Sequence, residues 1–255
     1  MREQAREAPA VRVRGLAKRY GRVAALDGID LDIVRGAACG LVGANGAGKT
    51  TLIRCLLDLA SPDAGSVSLF GVPARAAGAR ARLAYLPERF VPPYYLRGGE
   101  FLRAMLELAG ERYRPSAAAA LCAELDLEAG VLERPVRALS KGMTQKLGLA
   151  ACFLAPRELY VLDEPMSGLD PVARLAVKSV LRRLAGEGRT LLFTSHVLAD
   201  IEELCSSLAV LHRARLRFHG APQALCARYG EAGLERAFMK CIGDQSSDEQ
   251  RVARA

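Results

Sequence analysis

The sequence predicts an α/β fold whose core carries an antiparallel β subdomain and an inserted α-helical subdomain. Three observations support this prediction. An apolar run, a glycine-rich loop and an amphipathic run follow one another at residues 37–59, as strand, loop and helix do. Helical periodicity dominates residues 99–155. Strand and helix patterns then alternate over 159–205, which is typical of a parallel sheet covered by helices on both faces.

The first ninety residues otherwise consist of short strand patterns joined by turns. Residues 11–16 and 24–33 alternate with period two, and residues 66–70 and 82–86 are further strand candidates. This part of the chain supplies the predicted antiparallel subdomain.

The inserted part shows helical spacing. Phe101, Met105 and Leu108 share one helix face, and Ser116 is expected to cap a helix that runs to Leu127. The alternating elements that follow are predicted as a buried strand at 159–162, a helix at 172–185, a strand at 190–194, a helix at 197–205, a hairpin at 208–218 and a short helix from Pro222.

With 255 residues, the chain is long enough for one large domain with a sizeable core. We expect a disordered arm at 1–10, the domain at 11–230 with its helical subdomain at about 96–155, and a tail at 231–255 that frays from about Asp244. No apolar run approaches the roughly 18 residues of a membrane span, and the N-terminus lacks the apolar core of a signal peptide.

The charge and the cysteines exclude some classes of function. The net charge is +8, but the arginines are scattered and no aromatic-interleaved basic stripe is present, so no nucleic-acid partner is expected. The seven cysteines are odd in number, widely separated and without CxxC spacing. They are therefore predicted to be small buried side chains in a reducing compartment.

The most specific motif is GxxxxGK[ST], which lies between the strand and the helix of residues 37–59. Glycines let backbone N–H groups converge on an anion, and the helix adds its positive end. Lys49 is expected to reach the β- and γ-phosphates, and the Thr50 hydroxyl to hold Mg²⁺. The alternative is a flexible glycine turn between a strand and a helix. In that case, Lys49 and Thr50 would occupy the required positions only by coincidence. The predicted phosphate loop comprises Gly43, Ala44, Asn45, Gly46, Ala47, Gly48, Lys49, Thr50 and Thr51.

A second signal is the acidic pair Asp163 and Glu164 at the end of the strongly apolar strand 159–162. Ligands of open α/β sheets bind at the carboxyl ends of the strands. Asp163 there can hold Mg²⁺, and Glu164 can deprotonate an attacking water. The alternative is a strand that simply ends at polar residues. With the phosphate loop, the pair predicts a P-loop NTPase core.

These pieces occur in an order that resembles the nucleotide-binding subunits of ATP-binding-cassette (ABC) transporters, over residues 11–230. The matching pieces are Tyr20, the loop at 43–51, Leu-Pro-Glu at 86–88, Leu-Ser-Lys-Gly-Met at 139–143, Asp163 and Glu164, Ser-Gly-Leu-Asp at 167–170, and Thr-Ser-His at 194–196. The residues at 86–88 and 140–143 are similar to those of a bacterial branch of the family that is dominated by exporters.

By this resemblance, Tyr20 stacks on adenine, and His196 contacts the γ-phosphate and helps to hold the attacking water. The alternatives are a tyrosine that ends a strand, and a histidine that begins a helix after a Ser195 cap. Glu88 stands where many family members carry a glutamine that touches Mg²⁺ and links to the membrane partner. A glutamate still offers an oxygen ligand there.

The 139–143 segment resembles the family signature, in which Ser140 and Gly142 face a γ-phosphate. Lys141 and Met143 depart from the commoner residues. The alternative is an ordinary serine-capped helix. Asp170 lines the dimer interface in the family, and before Pro171 it is also an ideal helix cap.

The resemblance implies a subunit that binds ATP and Mg²⁺ and forms a head-to-tail homodimer, or a heterodimer with a second ATP-binding subunit. It would work with separate transmembrane permease subunits, in export, as a cytoplasmic protein peripheral on the inner face of the membrane. Tyr94, Tyr95 and the helix from Glu100 are expected to dock the membrane subunit, although the aromatics are as easily core residues.

The alternative function is a soluble ABC-type ATPase, such as a cluster-assembly ATPase. The stretch between Thr51 and Asp163 has no sustained heptads, unlike repair-type members with a long coiled coil. The single phosphate loop differs from translation-type members with two cassettes.

Overall fold

The computed structural model describes residues 8–244, in two compact units. The first unit is formed by residues 8–80 together with 194–244, and the second by residues 81–193. The predictions for residues 1–7 and for the residues from 245 onward lie outside this range. Ala8 and Ala10, which the sequence places in the disordered arm, are held by hydrogen bonds from Arg35 Nε to Ala8 O and from Phe70 N to Ala10 O.

The described residues form ten strands and eight α-helices, with three short 3₁₀ turns at 77–82, 129–132 and 136–138. The strands are β1 (Val11–Tyr20), β2 (Val23–Ile33), β3 (Ala38–Val42), β4 (Ala64–Leu69), β5 (Val72–Pro73), β6 (Leu83–Leu86), β7 (Leu159–Leu162), β8 (Thr190–Thr194), β9 (Ser207–His212) and β10 (Arg215–Gly220). The helices are α1 (Lys49–Leu56), α2 (Gly98–Leu108), α3 (Pro115–Glu124), α4 (Lys141–Leu154), α5 (Pro171–Gly186), α6 (Leu198–Leu204), α7 (Pro222–Tyr229) and α8 (Leu234–Gly243).

The first unit contains the predicted antiparallel subdomain, a four-stranded sheet in the order β2-β1-β4-β5. Its period-two alternation places Val11 and Val13 on the buried face while Arg12 and Arg14 face solvent. The solvent-facing arginines pair with Asp32 on β2, with Arg14 Nη2 at 2.6 Å from Asp32 Oδ2. The predicted strands at 11–16, 24–33 and 66–70 are confirmed in this sheet, whereas the strand predicted at 82–86 is β6, which belongs to the second unit.

The same unit contains β3, which pairs in parallel with β9, and β9 pairs antiparallel with β10. The hairpin between β9 and β10 turns on Arg213 and Ala214, with φ of 48° and 67°. Positive φ at both central residues is the mark of a type I′ turn, which matches the twist of paired strands. The five residues of β3 are all buried, so the strand that precedes the glycine loop lies in the core.

In the second unit, β7 pairs in parallel with both β6 and β8, and helices α2 to α5 belong to the same unit. Nine consecutive residues of α4, from Gln145 to Phe153, are buried, so this helix forms the centre of the helical part. The unit is therefore wider than the predicted helical subdomain at about 96–155, because it includes three parallel strands.

Two local predictions are corrected by the structure. Ser116 does not cap α3: the helix begins at Pro115, with Arg114 as the N-cap residue. The fixed φ of proline favours the first helical position, so the helix starts two residues earlier than a serine cap would set it. The predicted tail at 231–255 contains α8, whose buried Leu234, Ala237 and Cys241 follow helical spacing.

All seven cysteines carry free thiols, and all but Cys226 are buried, as the sequence predicted. Burial raises the pKa of Cys39 to about 11 and that of Cys152 to about 12. Within residues 8–244, no helix is long and apolar enough to cross a membrane.

Candidate functional site

The glycine loop connects the end of β3 at Val42 to the start of α1 at Lys49. Gly48 has φ of 109°, and a Cβ there would lie 2.4 Å from Ala25 O. A Cβ on Gly43 would lie 2.3 Å from Leu211 O. Because backbone atoms of β2 and β9 press on the loop at these two positions, only glycine fits there.

The Lys49 side chain is buried and lies along this loop. Its Nζ donates hydrogen bonds to Gly43 O at 2.6 Å and to Ala44 O at 3.3 Å. Gly48 is the N-cap residue of α1 and has no side chain to cap it. The positive end of the helix and the Lys49 ammonium group thus lie at one loop, a combination that suits a phosphate.

Tyr20 ends β1, and its side chain is 48% exposed. Lys18 Nζ lies 5.5 Å from the centre of the ring, in a cation–π contact, and also pairs with Asp63 at 3.0 Å. The tyrosine does end a strand, as the alternative interpretation holds. Because the ring is exposed, stacking on a planar base remains open to it.

His196 is exposed and lies in a turn two residues before α6 begins at Leu198. Ser195 Oγ accepts a hydrogen bond from Val197 N at 3.1 Å and donates one to Asp200 Oδ2 at 3.4 Å. The alternative was that His196 begins the helix and Ser195 caps it. This alternative is wrong, because α6 begins at Leu198 and Ser195 stabilises the turn before the helix.

The acidic residues of the second unit follow neighbouring strands at one sheet edge. Leu86 of β6 pairs with Leu162 of β7, and Asp163 N donates to Leu86 O at 2.8 Å. Asp163 is 2% exposed, whereas Glu88, two residues beyond β6, is exposed. The structure thus places both predicted oxygen ligands of this unit at the carboxyl ends of parallel strands.

Glu164 is 7% exposed and has a φ of +51°, in the left-handed region. For a residue with a side chain this conformation costs about 1–2 kcal/mol, and such strain concentrates at functional sites. Two contacts hold its carbonyl oxygen, from Ser167 N at 3.1 Å and from Gln145 Nε2 at 3.5 Å. The apolar strand with its acidic end predicts Glu164, but no local pattern indicates its backbone conformation or its contact with Gln145.

Residues 139–143, which we call the signature segment, lead into α4. Ser140 is its N-cap, with Ser140 Oγ accepting from Met143 N at 3.2 Å. A Cβ on Gly142 would meet Gly168 O at 3.6 Å, an ordinary contact. The fold of this unit therefore does not itself require glycine at this position, and the stem of Lys141 lies beside Gly168.

Asp170 caps α5, as the alternative interpretation predicted. Its Oδ1 accepts from Val172 N at 2.9 Å and from Ala173 N at 3.0 Å, with Pro171 in the first turn. The hydrogen bond from the Ala173 backbone is the largest cause that holds the pKa of this carboxyl below its ordinary value. Its place at a dimer interface remains a prediction.

A pocket of about 450 Å³ opens beside the signature segment. It brings Glu88 together with Lys141, and it is lined by Glu88, Arg89, Phe90, Leu139, Lys141, Thr144, Gln145 and Ser167. In the loop that follows, Tyr94 and Tyr95 are 67% and 69% exposed and pack edge to face with centroids 5.7 Å apart. The alternative that these two tyrosines are core residues is therefore wrong.

The predicted site residues thus form two groups, one in each unit. The first unit contains Tyr20, the loop from Gly43 to Thr51, and His196; the second contains Glu88, Ser140, Gly142, Asp163, Glu164 and Asp170. No cluster of three or more histidine, cysteine or acidic residues suited to a metal occurs among residues 8–244. A metal that also takes hydroxyl, water and phosphate oxygens does not need such a cluster.

Comparisons with known proteins agree with this geometry. The family model described as "ABC transporter" matches residues 26–167. Nod factor export ATP-binding protein I of Ralstonia nicotianae is 37% identical over 227 residues, which is 85% of this chain and 68% of that protein. A daunorubicin resistance ATP-binding protein of Streptomyces coeruleorubidus is 37% identical over 225 residues, which is 87% of this chain and 71% of that protein.

Two solved structures are also similar. An ATP-binding subunit of an ABC transporter has a TM-score of 0.82 and 29% identity, and the match covers 91% of this chain and 99% of that one. A dimeric ATP-binding cassette with ADP and phosphate, in a post-hydrolysis state, has a TM-score of 0.75 and 18% identity, covering 83% and 98%. The second likeness concerns the fold alone.

Proposed function

Because this chain belongs to the ABC transporter family, we propose that it binds and hydrolyses ATP as a dimer and drives substrate export through separate transmembrane subunits. The observation that carries the proposal is the glycine loop, in which the buried Lys49 ammonium lies at the start of α1, and the loop glycines lie against backbone atoms of β2 and β9. The alternative is an ABC-type ATPase that works without a membrane channel.

Nucleotide binding follows from this loop. The backbone N–H groups of residues 43–51 would surround the phosphates, and Lys49 would exchange its bond to Gly43 O for one to a β- or γ-phosphate oxygen. Tyr20 would stack on adenine through its exposed ring. None of these contacts depends on which substrate is transported. Recognition of the substrate would be a property of the membrane subunits.

Magnesium would be held by the Thr50 hydroxyl, Asp163 and Glu88, whose oxygens suit a hard cation. The ion supplies charge neutralisation on the β- and γ-phosphate oxygens. Asp163 fits this role because it is buried at a strand end with its backbone tied to β6.

Hydrolysis would use Glu164 as the general base for the attacking water. His196 would hold the γ-phosphate and the attacking water, since it lies in an exposed turn. The step requires positioning and charge stabilisation more than covalent chemistry, and these residues with Lys49 supply both.

Dimerisation would complete each site. Ser140 and Gly142 lie at the start of α4, where the helix N-terminus would face a phosphate from outside the chain and a glycine would let that phosphate approach the backbone. We therefore propose that each chain presents this segment, with Asp170 nearby, to the nucleotide of its partner. The partner is a second copy or a related ATP-binding subunit.

The exposed pair Tyr94 and Tyr95 would contact the transmembrane permease, on the cytoplasmic face of the membrane. Exposed aromatic side chains are typical anchors of protein interfaces. The Ralstonia relative is named for export and the Streptomyces relative for drug resistance, which supports outward movement of the substrate.

Lys49→Ala should weaken ATP binding about 10- to 100-fold, because a hydrogen bond to a charged group contributes about 1.5–3 kcal/mol. Calorimetry on the purified chain measures the Kd. Lys240→Ala, which removes a surface lysine paired with Glu231, is the control and should bind ATP like the wild type. Unchanged affinity in a folded Lys49→Ala variant would remove Lys49 from the site.

Replacing Tyr94 and Tyr95 by alanine should lower recovery of the chain with membranes that contain its cognate membrane subunit, while ATPase activity of the isolated chain stays unchanged. Met239→Ala removes an equally exposed apolar side chain on α8 and is the matched control. Salt separates this contact from adhesion of the basic chain to anionic lipid, which is screened at high ionic strength. Complete release by salt, or equal recovery on protein-free liposomes, would favour the ATPase without a channel.

A further inference from the structure

A buried amide links α4 to the segment that carries the catalytic glutamate. Gln145 is 7% exposed. Its Nε2 lies 3.3 Å from Pro165 O and 3.5 Å from Glu164 O, so one NH₂ group spans two successive carbonyl oxygens. Both oxygens belong to the turn that directly follows β7.

This turn needs external support. Glu164 has a φ of +51°, and a residue with a side chain leaves that region unless its surroundings hold it there. The direction of its carboxylate depends on the same backbone angle, because the Cβ position is fixed by the backbone. Without Gln145, the Glu164 carbonyl oxygen would keep its hydrogen bond from Ser167 N, but both carbonyl oxygens would lose the contact that stabilises the turn from α4.

We propose that Gln145 is a positioning residue for Glu164: it holds the turn at 164–165 so that the carboxylate points at the attacking water. The proposal rests on the role of Glu164 as general base proposed above. Gln145 acts through the backbone and need not touch ATP. It should therefore affect the rate of the chemical step and not the affinity for ATP.

The first test removes the donors of Gln145 and keeps its volume, in the full-length chain. Gln145→Met should lower kcat about 10- to 100-fold, since a misplacement of about 1 Å costs up to about 100-fold, while the Kd for ATP changes less than twofold. Lys146→Met is the matched control. Lys146 is the next residue of the same helix, is also buried, and bonds the backbone and carboxylate of Asp126 instead of the 164–165 turn. An equal fall in kcat for both variants would mean that α4 is merely loosened, and would overturn the proposal.

The second test asks whether the effect passes through Glu164. When the base is already lost in Glu164→Gln, adding Gln145→Met should reduce the residual single-turnover rate less than twofold. A fall as large as that in the wild-type background would show that Gln145 acts elsewhere. The same comparison separates the two proposals, because a Glu164→Gln variant that hydrolyses ATP at the wild-type rate would refute the role of Glu164 itself.

A third test uses Gln145→Glu, and it remains informative even if the Gln145→Met variant fails to fold. Its carboxyl group offers an O–H donor to the two carbonyl oxygens when protonated and only repels them when ionised. The ratio of its kcat to that of the wild type should therefore fall as the pH rises. A ratio that is independent of pH between 5 and 9 would contradict hydrogen-bond donation by this side chain.

Discussion

Replacing Glu164 by glutamine should slow ATP hydrolysis about 10²- to 10⁴-fold, the contribution of a well-placed general base. Glutamine has nearly the same shape but cannot take a proton from water. ATP binding should persist, because Lys49 and the loop N–H groups are unchanged. The variant should therefore accumulate as an ATP-bound dimer.

Phosphate release and size-exclusion chromatography with and without ATP measure the two effects. Glu235→Gln, on the exposed face of α8, changes the charge by the same amount and should hydrolyse ATP like the wild type. Turnover of Glu164→Gln close to that of the wild type would exclude Glu164 as the base.

Ser140→Arg should abolish ATP-dependent dimerisation while a single chain still binds ATP. The arginine would fill the space at the start of α4 that the partner's γ-phosphate is proposed to occupy. Ser140→Ala is the control for the loss of the helix cap. Both variants lose the N-cap hydrogen bond from Met143 N to Ser140 Oγ, which contributes about 1 kcal/mol. The alanine variant should share this loss of stability but retain more dimer in sedimentation experiments.

Mixing the Ser140→Arg chain with the Lys49→Ala chain gives the sharper result. In a head-to-tail pair both lesions fall in one composite site and leave the other site intact. The mixture should then hydrolyse more ATP than either variant alone. If it does not, a mixed dimer that forms with ATP and holds one nucleotide would show that the dimer needs two working sites, whereas the absence of an ATP-dependent mixed dimer would refute the composite-site model.

Local sequence patterns were enough to predict the features that depend on a few neighbouring residues. The strand at 159–162 and its acidic end were predictable because four apolar residues precede Asp163. The glycine loop was predictable because its residue types and spacing follow from the chemistry of phosphate binding. Both signals lie within a few consecutive residues.

The remaining features depend on distant parts of the chain or on weak signals. The left-handed backbone of Glu164 is stabilised in part by Gln145, nineteen positions earlier, and no local pattern encodes that contact. Helix α8 buries Leu234, Ala237 and Cys241 at helical spacing, in residues that were assigned to the C-terminal tail. The start of α3 was misplaced because Pro115 and Ser116 both favour a helix N-terminus.

Strand β9, which ends in the hairpin turn at Arg213 and Ala214, forms the wall behind the glycine loop. The carbonyl of Leu211, two residues before this turn, backs Gly43 at the start of the loop. A two-residue turn allows one alignment of β9 with β10, and a slip by one residue would reverse which side chains face inward. The parallel register of β3 with β9, in which Val42 pairs with Val210, sets this wall behind Gly43, whereas the turn fixes only how β10 aligns with β9. An insertion in the turn would therefore shift β10 and leave the Leu211 carbonyl behind Gly43 in place.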